Sequence, residues 1–333
     1  MTSILHEQID LKQTSPNTYT ASWDVDWTLG TTLMGGCVAA QIHRAAATHL
    51  QNDPALVARN QPDVLSMHLE YLRPCERCIS TITVITLKIG AATSTIQLQL
   101  SQHGKTKVMA LVNSTNFDKA VGPTATTAWS LQPPPPPKPD FQRVFAHQPD
   151  ENWLPGRLAG EIIPVSRRIL GLFPRAGFPV PGVCDAWNSF LGDERMDATY
   201  LAMMADVIPS LSDTLLRHGG LYDAHVFWEK MKIWAEENPG IPIVMTNTIA
   251  EAMQSPTFNV TVTMDIEFKR RLPKDGQRSI FSRAATKMLQ DGRMDLDVTM
   301  CNEQMELLCT AHQLILVLEA QRKFNGKNAK PTL

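Results

Sequence analysis

Two side chains break the apolar pattern around them, and both are of types that position water and protons. Asp206 follows the apolar run Leu201–Ala205 and precedes Val207-Ile208-Pro209. We expect such a carboxylate to be partly buried, which raises its pKa unless hydrogen bonds to the charged form compensate. Gln313 shares the alternating phase of an apolar strand, so its amide faces the buried side and needs hydrogen-bond partners. Taken alone, each residue also fits a structural role, Asp206 as a helix-end residue that bonds local backbone groups.

Gly35-Gly36 is a third candidate. The pair lies near the predicted start of a helix, where backbone N–H groups can approach an anion or a carbonyl oxygen. Tight packing of that helix explains the glycines equally well, so both interpretations stand at this point.

Several familiar catalytic and metal-binding patterns are missing from the sequence. It contains no G-x-S-x-G nucleophile elbow, no glycine-rich phosphate loop and no H-E-x-x-H. Cys75-Glu76-Arg77-Cys78 is a C-x-x-C, but no second ligand pair of suitable spacing accompanies it. The sequence therefore predicts neither a metal site nor a cofactor.

The composition excludes several classes of partner. The chain carries 31 Lys and Arg against 33 Asp and Glu, a formal net charge of -2, whereas nucleic-acid binding usually shows as a basic excess. No apolar run approaches the ~20 residues that span a bilayer, and the first residues lack the apolar stretch of a signal peptide. We therefore expect a cytoplasmic protein with no nucleic-acid partner and no membrane span.

The elements that must position these residues fall into two similar series. A helix rich in small residues is predicted over Leu33–Leu50, and alternating runs that predict antiparallel strands follow it. The predicted strands are Val64–Leu72, Ile79–Leu87, Thr93–Gln102 and Lys107–Phe117. The second series has a helical pattern over Asp197–Ser212 and then another set of strand-like runs. These are Thr257–Phe268, Ser279–Leu289, Arg293–Cys301 and Met305–Leu318. Helix followed by antiparallel meander indicates an α+β fold in each half.

A proline-rich segment separates the two series. Pro133–Pro137 are five consecutive prolines, typical of a stiff polyproline II spacer, and a ligand for a proline-binding domain is the alternative. The halves also resemble each other, since His68–Arg73 matches Asp265–Arg270 at an offset of 197 residues. We interpret the chain as a duplicated unit whose two sheets join edge to edge.

With these motifs in place, the chain resembles the acyl-CoA thioesterase II type of double-hotdog thioesterase, including the thioesterase-like proteins common in fungi. Met34-Gly35-Gly36 stands where the family has Phe-Gly-Gly, and His68–Pro74 is similar to its strand ending in Leu-Arg-Pro. Asp206, Thr261 and Gln313 match the family's three catalytic positions in order along the chain.

The resemblance implies a double hotdog and a boundary for each half. The expected domains are an N-terminal hotdog at 15–118, a Pro-rich linker at 119–182 and a C-terminal hotdog at 183–322, with a helical insertion at about 218–250. His68 resembles a histidine of the family strand, and the alternative is a hydrogen-bonded or surface histidine. Trp228 belongs to an aromatic helix that is either a lid or pocket wall or an oligomer contact. We therefore add Gly35, Gly36, His68 and Trp228 as predicted substrate-binding residues.

The activity implied is hydrolysis of an acyl or polyketide thioester carried on CoA or an acyl carrier protein. Asp206 would serve as base or would orient the attacking water, while Thr261 and Gln313 fix that water in place. Two alternatives remain: a hotdog protein recruited to dehydration, cyclisation or isomerisation in a natural-product pathway, or a non-catalytic acyl-binding protein. The chain ends without a Ser-Lys-Leu-type peroxisomal address, which favours a cytosolic role. Members of the family it resembles commonly associate through their sheets, so the resemblance also implies a homo-oligomer.

Overall fold

The structure is a computed structural model that describes residues 4–206, 210–220 and 222–320. Fifteen strands of the described chain pair into one sheet, antiparallel except for one parallel pair near its end. Helices of both halves pack together on one face of the sheet and enclose the main apolar core. We call this the inner face and the opposite one the outer face. The predicted α+β class is confirmed.

The first half contains the longest helix and most of its predicted strands at the expected places. Its helices are α1 (Ile4–Gln8), α2 (Gly35–Asn52) and α3 (Pro54–Val57). Its strands are β1 (Lys12–Ser15), β2 (Thr18–Ala21), β3 (Thr28–Leu29), β4 (Thr32–Leu33), β5 (Asp63–Tyr71), β6 (Ser80–Ile89), β7 (Ser94–Gln102) and β8 (Lys105–Thr115). Ala39, Ala40, Ala45 and Ala46 on α2 are fully buried, so the small side chains predicted to allow close packing do so.

The second half repeats this order with additions. Its helices are α4 (Phe141–Phe145), α5 (Ala198–Met204), α6 (Leu211–Leu216), α7 (Ala224–Glu237) and α8 (Ile249–Ala252). Its strands are β9 (Trp153–Gly160), β10 (Ile169–Pro174), β11 (Val183–Phe190), β12 (Ile243–Asn247), β13 (Thr257–Phe268), β14 (Ser279–Ala285), β15 (Leu289–Gln290), β16 (Arg293–Cys301) and β17 (Leu307–Glu319). The helix predicted over Asp197–Ser212 is split, since α5 ends before Asp206 and α6 begins at Leu211. Residues 207–209 of that prediction lie outside the described residues.

The two sheets join edge to edge, as predicted, and the strands that pair are β5 and β13. These strands pair antiparallel with His68 opposite Asp265, and the same two residues are equivalent positions in the sequence repeat. Equivalent residues that face each other mark the local two-fold axis relating the halves. His68 Nδ1 lies 2.6 Å from Asp265 Oδ1 on the outer face, so this pair bridges the junction.

A β-bulge corrects the predicted alternation along β13. The sequence predicts that Thr261 and Asp265 share a face, but Val262 is an extra residue in the pairing with β17. The register turns Thr261 to the inner face and leaves Thr263 opposite the exposed Leu314 on the outer face. Leu65 is the extra residue of a matching bulge in β5, 197 positions earlier, so both copies of the unit carry it.

The range predicted as a Pro-rich linker contains more regular structure than the sequence indicates. β9 and β10 lie within 119–182 and extend the sheet of the second half. Glycine and proline within these short strands hide their period, since Pro155 pairs with Leu172 and Gly156 with Gly171. The range predicted as a linker therefore contains the short helix α4 and the strands β9 and β10. The division into domains remains a prediction.

The proline run itself packs on the outer face of the second half. Trp153 Nε1 donates to the carbonyl of Pro137 at 2.7 Å. The Arg283 guanidinium donates to the carbonyl of Pro133 at 2.6 Å and holds both carboxylate oxygens of Asp185 at 2.7 Å. Side chains of α4 cover a small core on that face, which is built on Trp187, Phe281 and their neighbours.

This ion pair generates a stability prediction. Arg283 and Asp185 are 4% and 7% exposed, so Arg283→Met leaves a buried carboxylate unpaired. We expect the free energy of unfolding to fall by about 3–5 kcal/mol in urea titrations. The matched control is Arg293→Met, whose exposed pair with Asp291 is worth at most ~1 kcal/mol. Equal losses for both variants would contradict a stabilising role for the buried pair.

Candidate active site

Asp206 lies where the two halves meet on the inner face. It follows α5 of the second half, and its Oδ2 accepts a hydrogen bond from the backbone N–H of Gly36 on α2 at 2.8 Å. Met34, the residue that caps α2, offers no side-chain hydrogen bond to the helix. The Asp206 carboxylate therefore takes the place of an N-cap side chain, supplied by the other half of the chain. The positive end of the α2 dipole favours its charged form.

The glycine pair is what allows this approach. A Cβ on Gly36 would lie 2.2 Å from the Met203 carbonyl oxygen, and one on Gly35 would lie 3.1 Å from Asp206 Oδ2. The helices pack too closely for a side chain at this point, and the same closeness brings the Gly36 N–H to the Asp206 carboxylate. Substrate binding by Gly35 and Gly36 stays a prediction.

Thr261 and Gln313 complete the group around the carboxylate. The bulge at Val262 places Thr261 Oγ1 3.3 Å from Gln313 Oε1, to which it donates. Gln313 is fully buried, and its Nε2 donates to the carbonyl of Ala205 at 2.6 Å. The amide is therefore fixed between β13 and the end of α5, with the partners that a buried amide requires.

Burial and hydrogen bonding act in opposite directions on Asp206. Desolvation raises the pKa of the Asp206 carboxyl, while the N–H groups of Gly36 and Gly35 and the side chains of Thr261 and Gln313 lower it. Burial prevails, so the pKa lies above the ordinary value of an aspartate. A carboxylate of this kind is a stronger base than an exposed one and retains the orientation that its partners impose.

A buried thiol beside this group offers no competing nucleophile. Cys37 Sγ donates to the carbonyl of Trp27 at 3.1 Å. Burial, with a contribution from the Asp206 charge, raises the pKa of the Cys37 thiol far above its ordinary value. Cys37 therefore stays protonated, and thiolate chemistry is not available to it.

Two predicted substrate-binding residues are not brought to Asp206. His68 points to the outer face, where it pairs with Asp265, because β5 alternates with Met67 and Leu69 on the inner face. Trp228 Nε1 donates to the carbonyl of Arg175 at 3.3 Å, and its ring covers Gly177. This arrangement makes Trp228 part of the packing between α7 and the β10–β11 connection. Neither placement supports a role beside the carboxylate.

Tyr71 is a neighbour of the site that the chemical reading of the sequence does not single out. Its hydroxyl donates to the carbonyl of Gly35 at 2.8 Å. The alternation of β5 already places Tyr71 on the inner face with Met67 and Leu69, which is the only signal the sequence offers for it.

The described residues contain neither a membrane-crossing helix nor a metal-binding cluster. Within them, no helix is long and apolar enough to cross a membrane. Nor do any three His, Cys, Asp or Glu side chains in this part of the chain come close enough together to hold a metal ion.

Comparison with known proteins identifies the two halves. Residues 23–115 match the acyl-CoA thioesterase N-terminal domain and residues 130–317 match the acyl-CoA thioesterase C-terminal domain. The chain is 24% identical to the thioesterase-like protein TwmA of Talaromyces wortmannii, over 98% of this chain and 95% of that protein.

Solved structures share the fold. A putative thioesterase II from Thermobifida fusca aligns with a TM-score of 0.64 at 16% identity, covering 95% of this chain and 98% of its own. A conserved protein with a hot dog fold from Alicyclobacillus acidocaldarius gives 0.66 at 15% identity, with the same coverage. The acyl-CoA thioesterase II TesB2 from Mycobacterium marinum gives 0.59 at 18% identity, covering 98% and 99%. The predicted double hotdog is confirmed.

The close approach of α2 and α5 can be tested at Gly36. Gly36→Ala places a methyl group against the Met203 carbonyl and the Asp206 Cβ. We expect the free energy of unfolding to fall by about 1–3 kcal/mol, the usual cost of overpacking. The control is Gly122→Ala, whose new methyl group meets no atom within 4 Å and should change stability by less than ~0.5 kcal/mol. Chemical denaturation measures both, and an unchanged Gly36→Ala would refute the tight contact.

Proposed function

Since this chain belongs to the acyl-CoA thioesterase family, we propose that it hydrolyses its thioester by direct attack of water activated by Asp206. One observation carries the proposal. Side chains from three separate elements, Asp206, Thr261 and Gln313, converge at the N-terminus of a helix from the other half of the chain. Their types suit a hydrolysis that needs a base and an oriented water.

The proposed reaction proceeds in two bond changes. Asp206 Oδ2 is engaged by Gly36, so we assign the other carboxylate oxygen to the water and let it accept the water proton. The water oxygen forms a bond to the thioester carbonyl carbon, which becomes tetrahedral. The carbon–sulfur bond then breaks, the thiolate takes up the proton that Asp206 accepted from water, and the products are a carboxylic acid and a free thiol. No covalent enzyme intermediate forms, consistent with the protonated state of Cys37.

Thr261 and Gln313 orient the water in this proposal. Gln313 is held by the carbonyl of Ala205, and Thr261 is held by Gln313, so neither side chain is free to turn away from the carboxylate. A fixed acceptor and donor set holds the attacking oxygen in line with the carbonyl, which is the usual gain of a positioned nucleophile.

We propose an acyl or polyketide thioester on CoA or an acyl carrier protein as the substrate. The matched family acts on acyl-CoA, and the fungal relative is described as thioesterase-like. Both carriers present the same thioester group on a phosphopantetheine arm, so the chemistry at Asp206 is the same for either.

Asp206→Asn tests the base directly. The amide cannot accept the water proton, so we expect kcat to fall by roughly 10²–10⁴-fold while the fold is kept. Release of free thiol from a panel of acyl-CoA and acyl-carrier-protein thioesters is the measurement. A variant with the activity of the wild type on a hydrolysed substrate would refute the proposed base.

Thr261 and Thr263 give a matched pair on one strand. Thr261→Val removes the hydroxyl on the inner face, and we expect kcat to fall by roughly 10- to 100-fold because the water loses a fixed partner. Thr263→Val makes the same substitution on the outer face and should leave kcat unchanged. Equal effects on thiol release would contradict the placement of Thr261 by the bulge.

The pH dependence follows from the raised pKa of Asp206. Activity requires the carboxylate, so kcat should fall as the pH drops through the folded-state pKa, which lies above the ordinary value of an aspartate.

The free energy of unfolding also depends on pH through Asp206. Burial opposes ionisation of this carboxyl, so the wild type should lose stability as the pH rises through the folded-state pKa. Asp206→Asn should therefore gain stability over the wild type as the pH rises through that pKa. Rate profiles and urea titrations from pH 4 to 8 measure both, and an acid limb near pH 4 would contradict this.

A further inference from the structure

We propose that Tyr71 is a positioning residue for the reaction, which fixes the orientation of Asp206 through the peptide group between Gly35 and Gly36. This inference rests on the proposed function, because it assigns Asp206 the role of base. It adds a residue of the first half of the chain to a site whose reacting side chains all come from the second half.

The connection runs through a single rigid group. The Tyr71 hydroxyl donates to the carbonyl oxygen of Gly35 at 2.8 Å. The N–H of Gly36 belongs to the same planar peptide unit and donates to Asp206 Oδ2 at 2.8 Å. A hydrogen bond to the carbonyl polarises the amide and strengthens its N–H as a donor, so the two bonds support each other. Tyr71 thus fixes the peptide group between Gly35 and Gly36, and this peptide group fixes the Asp206 carboxylate.

Tyr71 is well suited to this role at every working pH. Burial, together with the nearby Asp206 charge, raises the pKa of the Tyr71 hydroxyl well above its ordinary value. The hydroxyl therefore remains a donor across the range in which the enzyme acts. Its position is supported from the second half as well, since the hydroxyl also lies 3.9 Å from Met264 Sδ on β13.

The duplication offers an internal comparison for this assignment. The capping residues of α2 and α5, Met34 and Asp197, are 163 positions apart. The same offset relates Gly36 to Thr199 and His43 to Asp206. Contacts obey the symmetry: Asp206 bonds Gly36, and His43 Nδ1 lies 3.0 Å from Thr199 Oγ1. The molecule therefore contains a second, two-fold-related position with His43 in place of the carboxylate.

The counterpart of Tyr71 at this second position has no hydroxyl. Tyr71 and Phe268 are equivalent at the offset of 197 residues, and the Phe268 ring centre lies 5.1 Å from that of His43. The aromatic ring fills the same place in both halves, so packing alone accounts for a ring and not for a hydroxyl. The hydroxyl is present in the half where a peptide must be held toward a carboxylate.

Tyr71→Phe is the experiment, since it installs the residue that the second position already accepts. Loss of the hydroxyl leaves the Gly35 carbonyl without this donor and weakens the Gly36 N–H bond to Asp206. We expect kcat to fall about tenfold, KM to stay within twofold, and the acid limb of the rate profile to move to higher pH. The matched control is Tyr19→Phe, which removes a buried hydroxyl that bonds His49 at 3.1 Å, remote from Asp206 in the sequence and its contacts.

Two readouts separate this inference from the proposed function. Carboxyl ¹³C titration by NMR, assigned with Asp206→Asn, reports the pKa of Asp206 without turnover. A higher Asp206 pKa in Tyr71→Phe, with no change in Tyr19→Phe, supports the positioning role even where no thioester is hydrolysed. An unchanged acid limb and an unchanged Asp206 pKa in Tyr71→Phe would overturn it, even with an active wild type. If Tyr71→Phe and Tyr19→Phe lowered kcat equally, the Tyr71 hydroxyl would have no more than a packing role.

Discussion

One hydrogen bond organises the site: the backbone N–H of Gly36 to the carboxylate of Asp206. This bond joins the two halves, because Asp206 follows α5 of the second half and caps the first turn of α2 in the first half. Everything close to it follows from that requirement. The helices must meet without side chains, which demands Gly35 and Gly36, and the carboxylate must leave water, which raises its pKa. The helix end and the neighbouring side chains offset part of the cost of burying the charged form.

The duplication explains why the chain holds one such group and not two. The two-fold-related position keeps the packing of the site, with a matching bulge in β5, but its side chains have changed. Val64 stands where Thr261 stands in β13, and Val112, opposite Met67, corresponds to Gln313, opposite Met264. Both valines are buried. One copy thus carries the polar set and the other supplies apolar support and the helix N-terminus, so neither half contains a complete site.

The sequence predicts the elements well and the fine placement less well. Alternation predicts β13 and β16 to the residue, and the turns at His103-Gly104 and Asp291-Gly292 adopt the positive φ angles that end such strands. A bulge inserts one residue without disturbing the apparent alternation, so the face of Thr261 cannot be deduced from pattern alone. The role of Tyr71 cannot be predicted from the sequence either, because it depends on a hydrogen bond from its hydroxyl to the carbonyl of Gly35, 36 residues away along the chain. β9 and β10 are not predicted because glycine and proline interrupt the alternation of their side chains.

In the proposed reaction Asp206 activates water and does not itself attack the thioester. Single turnover in H₂¹⁸O with excess enzyme, followed by mass spectrometry of the product acid and of the peptide containing Asp206, tests this most directly. Direct attack of water predicts one ¹⁸O in the released acid and none in Asp206. Label in the Asp206 carboxylate would reveal an acyl-enzyme anhydride and contradict direct attack of water.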